Sequence, residues 1–489
     1  MRENFQTIER SDMSADTTGS CLIQKEKNMS NPKVKIGDDA IFDASVLGKP
    51  RVLILGIQHM FAMFGSTVLV PLLTGLSVST TLLFAGLGTL LFHLISKNKV
   101  PAFLGSSFAF LAGYMAIAPN KEPELLPYAC FGVAVSGLAY LILAVFFKTF
   151  GANKVMQFFP PVVTGPIIIA IGLNLSKSAI DSCSTNWPIA LVAILIVICC
   201  NIWGRGMVKI IPILLGVIGS YIVAALAGVI DFSPVADAPW IGFPVNYGRT
   251  VFAIFTRGNA DTALLITSIF TIVPISFATM MEHIGDISAI SSTVGINFIR
   301  DPGLHRTLIG DGVATALASL FGAPANTTYG ENTGVLTLTK VYDPMVIRLA
   351  ACIAILLSFC PKFAAVIEIM PSSIVGGISL VLYGMISAVG IRNVVETKVD
   401  FSQTRNVIIA AMIMVLSIGI NFSSAGALSF PAGEITLTFS GLATGSLIGI
   451  LLNAILPGKD YRFENNEPNK TGVDLEMAQG KSLSKKGKK

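Results

Sequence analysis

The sequence predicts an all-α polytopic membrane protein of fourteen transmembrane segments, arranged as two inverted repeats of seven with short extended pieces opening half-helices three and ten. Three observations carry that expectation. The 489 residues are 53% hydrophobic and only 13% charged, whereas a soluble domain uses roughly 25% charged residues to wet its surface. The apolar residues fall into fourteen runs, most of them near the length a bilayer requires. Features of the first seven runs recur in the second seven at a nearly constant offset.

Residues 1–50 are polar and contain no apolar core of a signal peptide, so they are expected to form a disordered cytosolic tail. Apolar runs follow near 52–71, 80–96, 101–118, 125–147, 158–176, 187–203 and 209–230. Seven more lie near 262–285, 308–322, 330–342, 344–360, 371–390, 404–421 and 437–456, those at 308 and 330 being too short to span alone. A second polar tail, 457–489, is expected on the same side as the first.

Lys and Arg collect in cytoplasmic connections, and this tests the count. With both termini in the cytoplasm, the even-numbered connections hold thirteen basic residues, among them Lys99, Lys148, Arg306 and Arg405, and the odd ones hold five. A miscounted run would scramble that asymmetry. The net charge of +5 by itself says little, because orientation is read from which connections hold the basic residues, and no nucleic-acid partner is expected.

The halves echo each other. Gln58-His59 matches Glu282-His283 at an offset of 224, Pro101-Ala102 matches Pro324-Ala325 at 223, and Pro160 with Gly165 matches Pro371 with Gly376 at 211. Seven spans per repeat is an odd number, so the second repeat is inverted, a plan that suits alternating access.

The repeats place two broken segments at mid-membrane, Pro101-Ala-Phe-Leu-Gly-Ser-Ser-Phe108 and Pro324-Ala-Asn-Thr-Thr-Tyr-Gly-Glu331. Each reads as an extended stretch feeding a half-helix whose free N–H groups face a ligand. A kinked helix or a simple packing crossover remains the alternative. Glu282 and Asp286 lie four apart on one helical face, and Glu331 opens the second half-helix. Carboxylates in apolar segments cost kilocalories unless solvated, paired or protonated, so one is expected to bind protons and another to accept ligand N–H groups. His59 and His283 read as packed histidines. The four histidines sit in separate segments and the seven cysteines lack ligand spacing, so no metal, no cofactor and no enzyme activity is expected. A channel would need polar residues along several spans, not at two breaks.

These residues resemble the nucleobase/ascorbate transporter (nucleobase:cation symporter-2) family over nearly all of 51–456. The resemblance rests on Gly56-Ile-Gln-His-Met-Phe-Ala-Met-Phe-Gly-Ser-Thr-Val-Leu-Val-Pro71, Leu104-Gly-Ser-Ser-Phe-Ala-Phe110, Arg300-Asp-Pro-Gly-Leu-His-Arg306 and Glu331-Asn-Thr-Gly-Val-Leu-Thr-Leu-Thr-Lys340. Glu331, with Asn326-Thr-Thr-Tyr-Gly before it, is similar to the uracil branch; purine members carry Gln-Asn there.

The resemblance implies a core domain from 51–147 and 261–360 and a gate domain from 148–260 and 361–456. It implies substrate-binding roles for Glu282, Glu331, Ser107, Tyr329, Phe108 and Gly330, the last two through backbone amides. Proton coupling falls to Asp286, with Ser379 and Tyr383 at the contact between domains. Asp286 departs from the uracil branch, which has histidine there, and leaves H⁺ and Na⁺ open, with H⁺ favoured. The function implied is uracil uptake by proton symport in the cell membrane, the alternative being a xanthine or uric acid permease. The partners implied are a nucleobase, a proton, the lipid bilayer and a second copy through the gate domain. The sulfate and bicarbonate transporters share the plan, but acids at the site disfavour anions.

Overall fold

A computed structural model describes residues 36–37, 39–256, 260–432 and 435–458. The first half contains α1 (Lys49–Thr74), α2 (Val78–Ile95), β1 (Leu104–Ser106), α3 (Leu111–Ile117), α4 (Leu126–Phe150), α5 (Pro161–Ser184), α6 (Trp187–Trp203) and α7 (Pro212–Leu226). The second contains α8 (Thr262–Ile272), α9 (Ser276–Val294), α10 (Leu304–Leu320), β2 (Asn326–Thr328), α11 (Gly330–Thr339), α12 (Pro344–Ser358) and α13 (Pro361–Glu368). It closes with α14 (Ser372–Glu396), α15 (Thr404–Asn421), the strands β3 (Ala427–Ala432) and β4 (Ile435–Ser440), and α16 (Gly441–Ile455). Among the described residues seven helices are long and apolar enough to cross a membrane, counting α8 and α9 as one 33-residue unit. The number is eight if α12 and α13, bent by 86°, form one span.

Prolines set many of the helix starts, because the first turn has no use for the missing N–H. Pro127, Pro161, Pro188, Pro212 and Pro344 all occupy such positions. Gly75 and Gly295 end α1 and α9 in the left-handed conformation, at φ +83° and +77°.

Helix packing repeats between the halves. α4 lies on α10 as α12 lies on α2; α6 lies on α7 as α16 lies on α15; α8 lies on α4 as α1 lies on α12. At the symmetry centre α5 runs against α14, and β1 pairs with β2 antiparallel. Glycines let α5 and α14 approach closely: a Cβ on Gly172 would sit 2.3 Å from the Tyr383 carbonyl, and one on Gly390 2.7 Å from that of Gly165.

Three expectations change. Residues 39–50 do not behave as a loose tail, because Ala44–Leu47 form a helical turn and Ile41, Ala44 and Leu47 are buried with Val341 and Val346. The last apolar run does not start as helix at 437: Ile435–Ser440 alternates apolar and polar residues and pairs with Ala427–Ala432, so α16 begins at Gly441. The first half-helix, α3, is only seven residues long and follows a turn at 108–110. Both tails as far as residue 35 and from 459 onward lie outside the described residues.

Candidate functional site

Pro101 and Pro324 cannot donate to a helix interior, and after each the chain runs extended. The two pieces meet with Leu104 opposite Thr328, Gly105 opposite Thr327 and Ser106 opposite Asn326. Ser107 N–H donates to the Ala325 carbonyl at 2.9 Å and Tyr329 N–H to that of Phe103 at 3.1 Å, lengthening the ladder. Helix side chains cover the outer edges: Leu104 N–H donates to Thr89 Oγ1 at 2.9 Å, and Thr315 Oγ1 donates to the Asn326 carbonyl. All six strand residues are buried, which is the condition for non-helical backbone at membrane depth.

Gly105 is required by its neighbour. A Cβ there would lie 2.3 Å from Tyr329 Cε2, so only glycine lets the tyrosine ring fold across β1. The Tyr329 hydroxyl then donates to the Ser106 carbonyl at 3.3 Å. Tyr329 is extended (φ −113°, ψ 112°), and α11 starts at the next residue, Gly330.

One acidic side chain, that of Asp286, stands at that helix start. Glu282 and Asp286 are one turn apart on α9, both half-buried. Thr328 Oγ1 donates to Asp286 Oδ2 at 2.9 Å. Asp286 Oδ1 is 3.5 Å from the point where a Cβ on Gly330 would stand, so its carboxylate sits at the N-terminal end of α11, where the dipole favours negative charge. Glu331 is the second residue of α11; its side chain lies outside the described residues.

Phe108 and Tyr383 meet edge to face, with ring centroids 5.4 Å apart and planes at 82°. This contact joins the first break to α14. Ser379, one turn before Tyr383, is fully buried, and both hydroxyls lack a hydrogen-bond partner among the described residues, as does Ser107 Oγ. In this conformation neither Ser379 nor Tyr383 bonds to Asp286.

Sequence reasoning missed one carboxylate. Asp311 on α10 is wholly buried, with Oδ2 3.2 Å from His283 Nδ1 and accepting from Thr327 Oγ1 at 3.4 Å. The same His283 nitrogen is 3.3 Å from Thr328 Oγ1. Asp286, Thr328, His283 and Asp311 thus form one continuous polar chain behind the strands. An acidic residue inside the run at 308–322 was the signal. His59 and His283 are both buried and bonded as packed histidines: Asn332 Nδ2 lies 3.1 Å from His59 Nδ1 and donates to the His59 carbonyl at 3.1 Å. That bond gives the Asn of the Glu331-Asn-Thr-Gly motif an anchoring task. Among the described residues no group of three or more His, Cys, Asp or Glu is arranged to hold a metal.

A buried polar centre built from two broken segments, enclosed by helices of bilayer length, defines a multi-pass membrane protein, and the proteins it is similar to are permeases rather than enzymes. The chain belongs to the nucleobase/ascorbate permease family, its residues 50–426 matching the model described as a permease family. It is 40% identical over 422 residues to a uracil permease of Bacillus caldolyticus, a match covering 84% of this chain and 93% of that one. To the uracil permease of Bacillus subtilis (strain 168) it is 39% identical over 426 residues, covering 84% and 94%. Among solved structures, the transmembrane domain of a cyanobacterium bicarbonate transporter, BicA, superposes with a TM-score of 0.56 at 14% identity, covering 82% of this chain and 96% of that one. That likeness is one of fold.

Proposed function

We propose that this permease takes up uracil by proton symport through alternating access. The observation that carries the reading is the placement of the Asp286 carboxylate at the α11 N-terminus beside the paired breaks, with Glu282 one turn away on α9, in a chain similar to the uracil permeases of two Bacillus species. Uracil has two ring N–H donors and two carbonyl acceptors. Carboxylates of Glu282 and Glu331 accept from the N–H groups, and backbone amides of Phe108 and Gly330 donate to the carbonyls, so a dry pocket leaves none unpaired. Ser107, Tyr329 and the Phe108 ring shape the pocket wall.

In this reading 51–147 and 261–360 form the core domain, and 148–260 and 361–456 the gate domain. The close α5–α14 contact within the second group supports the division, and the Phe108–Tyr383 contact lies where the two move past each other. Both termini face the cytoplasm, as the charge asymmetry of the connections argues, and a homodimer forms through the gate domain. Proton rather than Na⁺ coupling is favoured because no cluster of oxygen ligands accompanies Asp286 in sequence.

Uptake of labelled uracil and labelled xanthine into vesicles, with and without a pH gradient, tests the proposal. Uracil should accumulate only with the gradient; preference for xanthine, or dependence on Na⁺, would overturn it. Cysteines replacing Ser107 and Thr328 should react with thiol reagents more slowly when uracil is present. Equal labelling with and without uracil would place the pocket elsewhere.

A further inference from the structure

The segment before α1 grips the far end of the half-helix that carries Glu331. The last carbonyls of any helix lack partners of their own, and here the upstream chain supplies them: Gly37 N–H donates to the Thr339 carbonyl at 2.9 Å and Ile41 N–H to that of Lys340 at 2.8 Å. Tyr342 N–H donates back to the Ile41 carbonyl at 2.7 Å. Asp343 ties the arrangement together. Its Oδ2 accepts from Ala44 N–H at 2.9 Å, while Oδ1 accepts from Met345 N–H at 2.8 Å at the start of α12. Ile41, Ala44 and Leu47 are buried against Val341 and Val346, and the Phe42 and Tyr342 rings are 5.5 Å apart.

The opposite end of α11 is held by the same stretch of chain. Asn332 donates to the His59 carbonyl on α1, so α1 and the residues just before it clasp α11 at both ends. The half-helix is ten residues long, about 15 Å at 1.5 Å per residue, and a rigid element of that length transmits a shift at one end to Gly330 and Glu331 at the other.

We propose that residues Ile41–Leu47, fastened through Asp343, are a positioning strap that sets the placement of the α11 N-terminus in the binding site. The role in affinity rests on the uracil reading; the grip on α11 does not.

Ala44→Pro tests it in the full-length protein. Proline removes the N–H that Asp343 accepts, and the backbone tolerates it because Ala44 opens its helical turn and Asp43 is extended at φ −126°, ψ 105°. Without substrate, hydrogen exchange of the amides at 336–340 should quicken about tenfold or more. The half-saturation concentration for uracil should rise about threefold or more, with the maximal rate kept within about twofold. Ala44→Gly retains the N–H and buries no new polar group, so it should stay close to the unaltered protein; Ile41→Ala trims the buried plug and should shift both readouts as Ala44→Pro does. Unchanged exchange in both Ala44→Pro and Ile41→Ala would show that the segment does not hold α11. Faster exchange with unchanged half-saturation would show that the grip does not reach the site. If the unaltered protein takes up no uracil, the uracil assignment fails and the exchange result alone decides the strap.

Discussion

Uphill accumulation of uracil driven by a pH gradient is expected to vanish in Asp286→Asn, with uracil binding and exchange at least partly retained. Uracil is neutral and gains nothing from the membrane potential, whereas a proton entering with it adds about 2.3 kcal/mol per 100 mV in addition to the pH term. Asp286 is the proposed carrier because it stands one turn from Glu282 and beside the N-terminus of α11. Two carboxylates that close repel each other in a dry site, and one proton removes the repulsion when substrate occupies Glu282. Asparagine keeps the size of the side chain and an oxygen for the Thr328 hydroxyl, which now donates to Asp286 at 2.9 Å. The measurement is counterflow and gradient-driven uptake in the same vesicles. A variant that still concentrates uracil and still collapses that gradient with a proton ionophore would move the proton to Glu282, Glu331 or the buried His283–Asp311 pair.

The second large effect belongs to Glu331. Glu331→Gln exchanges a group that only accepts for an amide that also donates, so one ring N–H of uracil meets a donor or loses its charged acceptor. The cost is about 1 to 3 kcal/mol of affinity, a factor of roughly five to one hundred and sixty in Kd. Calorimetry on the purified protein reads it directly. Binding within twofold of the unaltered protein would remove Glu331 from the pocket.

Much of the architecture was legible because the bilayer leaves a chain few options. Backbone groups in hydrocarbon must bond within their own segment or inside protein, so apolar runs of suitable length become helices, and α2, α6 and α15 occur within a few residues of the runs at 80–96, 187–203 and 404–421. Pro101 and Pro324 likewise announced the two breaks, since proline terminates helices by simple stereochemistry. Glu282 and Asp286 were visible as acids four apart on a helix. The pairing of 427–432 with 435–440 was obscured by an apolar run that continues from the second strand into α16 without a proline or charge to divide them.

Local sequence suffices for the membrane class, the repeat, the two breaks and the pair of acids four apart, because each follows from hydropathy, stereochemistry or i, i+4 geometry. Which of those features meet is a matter of tertiary packing. β1 and β2 are more than two hundred residues apart, and their register depends on how two helical repeats pack; so does the chain from Asp286 through Thr328 and His283 to Asp311. The clasp of Ile41 and Ala44 on the end of α11 is equally non-local. A polar residue's neighbours across a helix bundle are set by packing of the whole chain, and no window of sequence contains them.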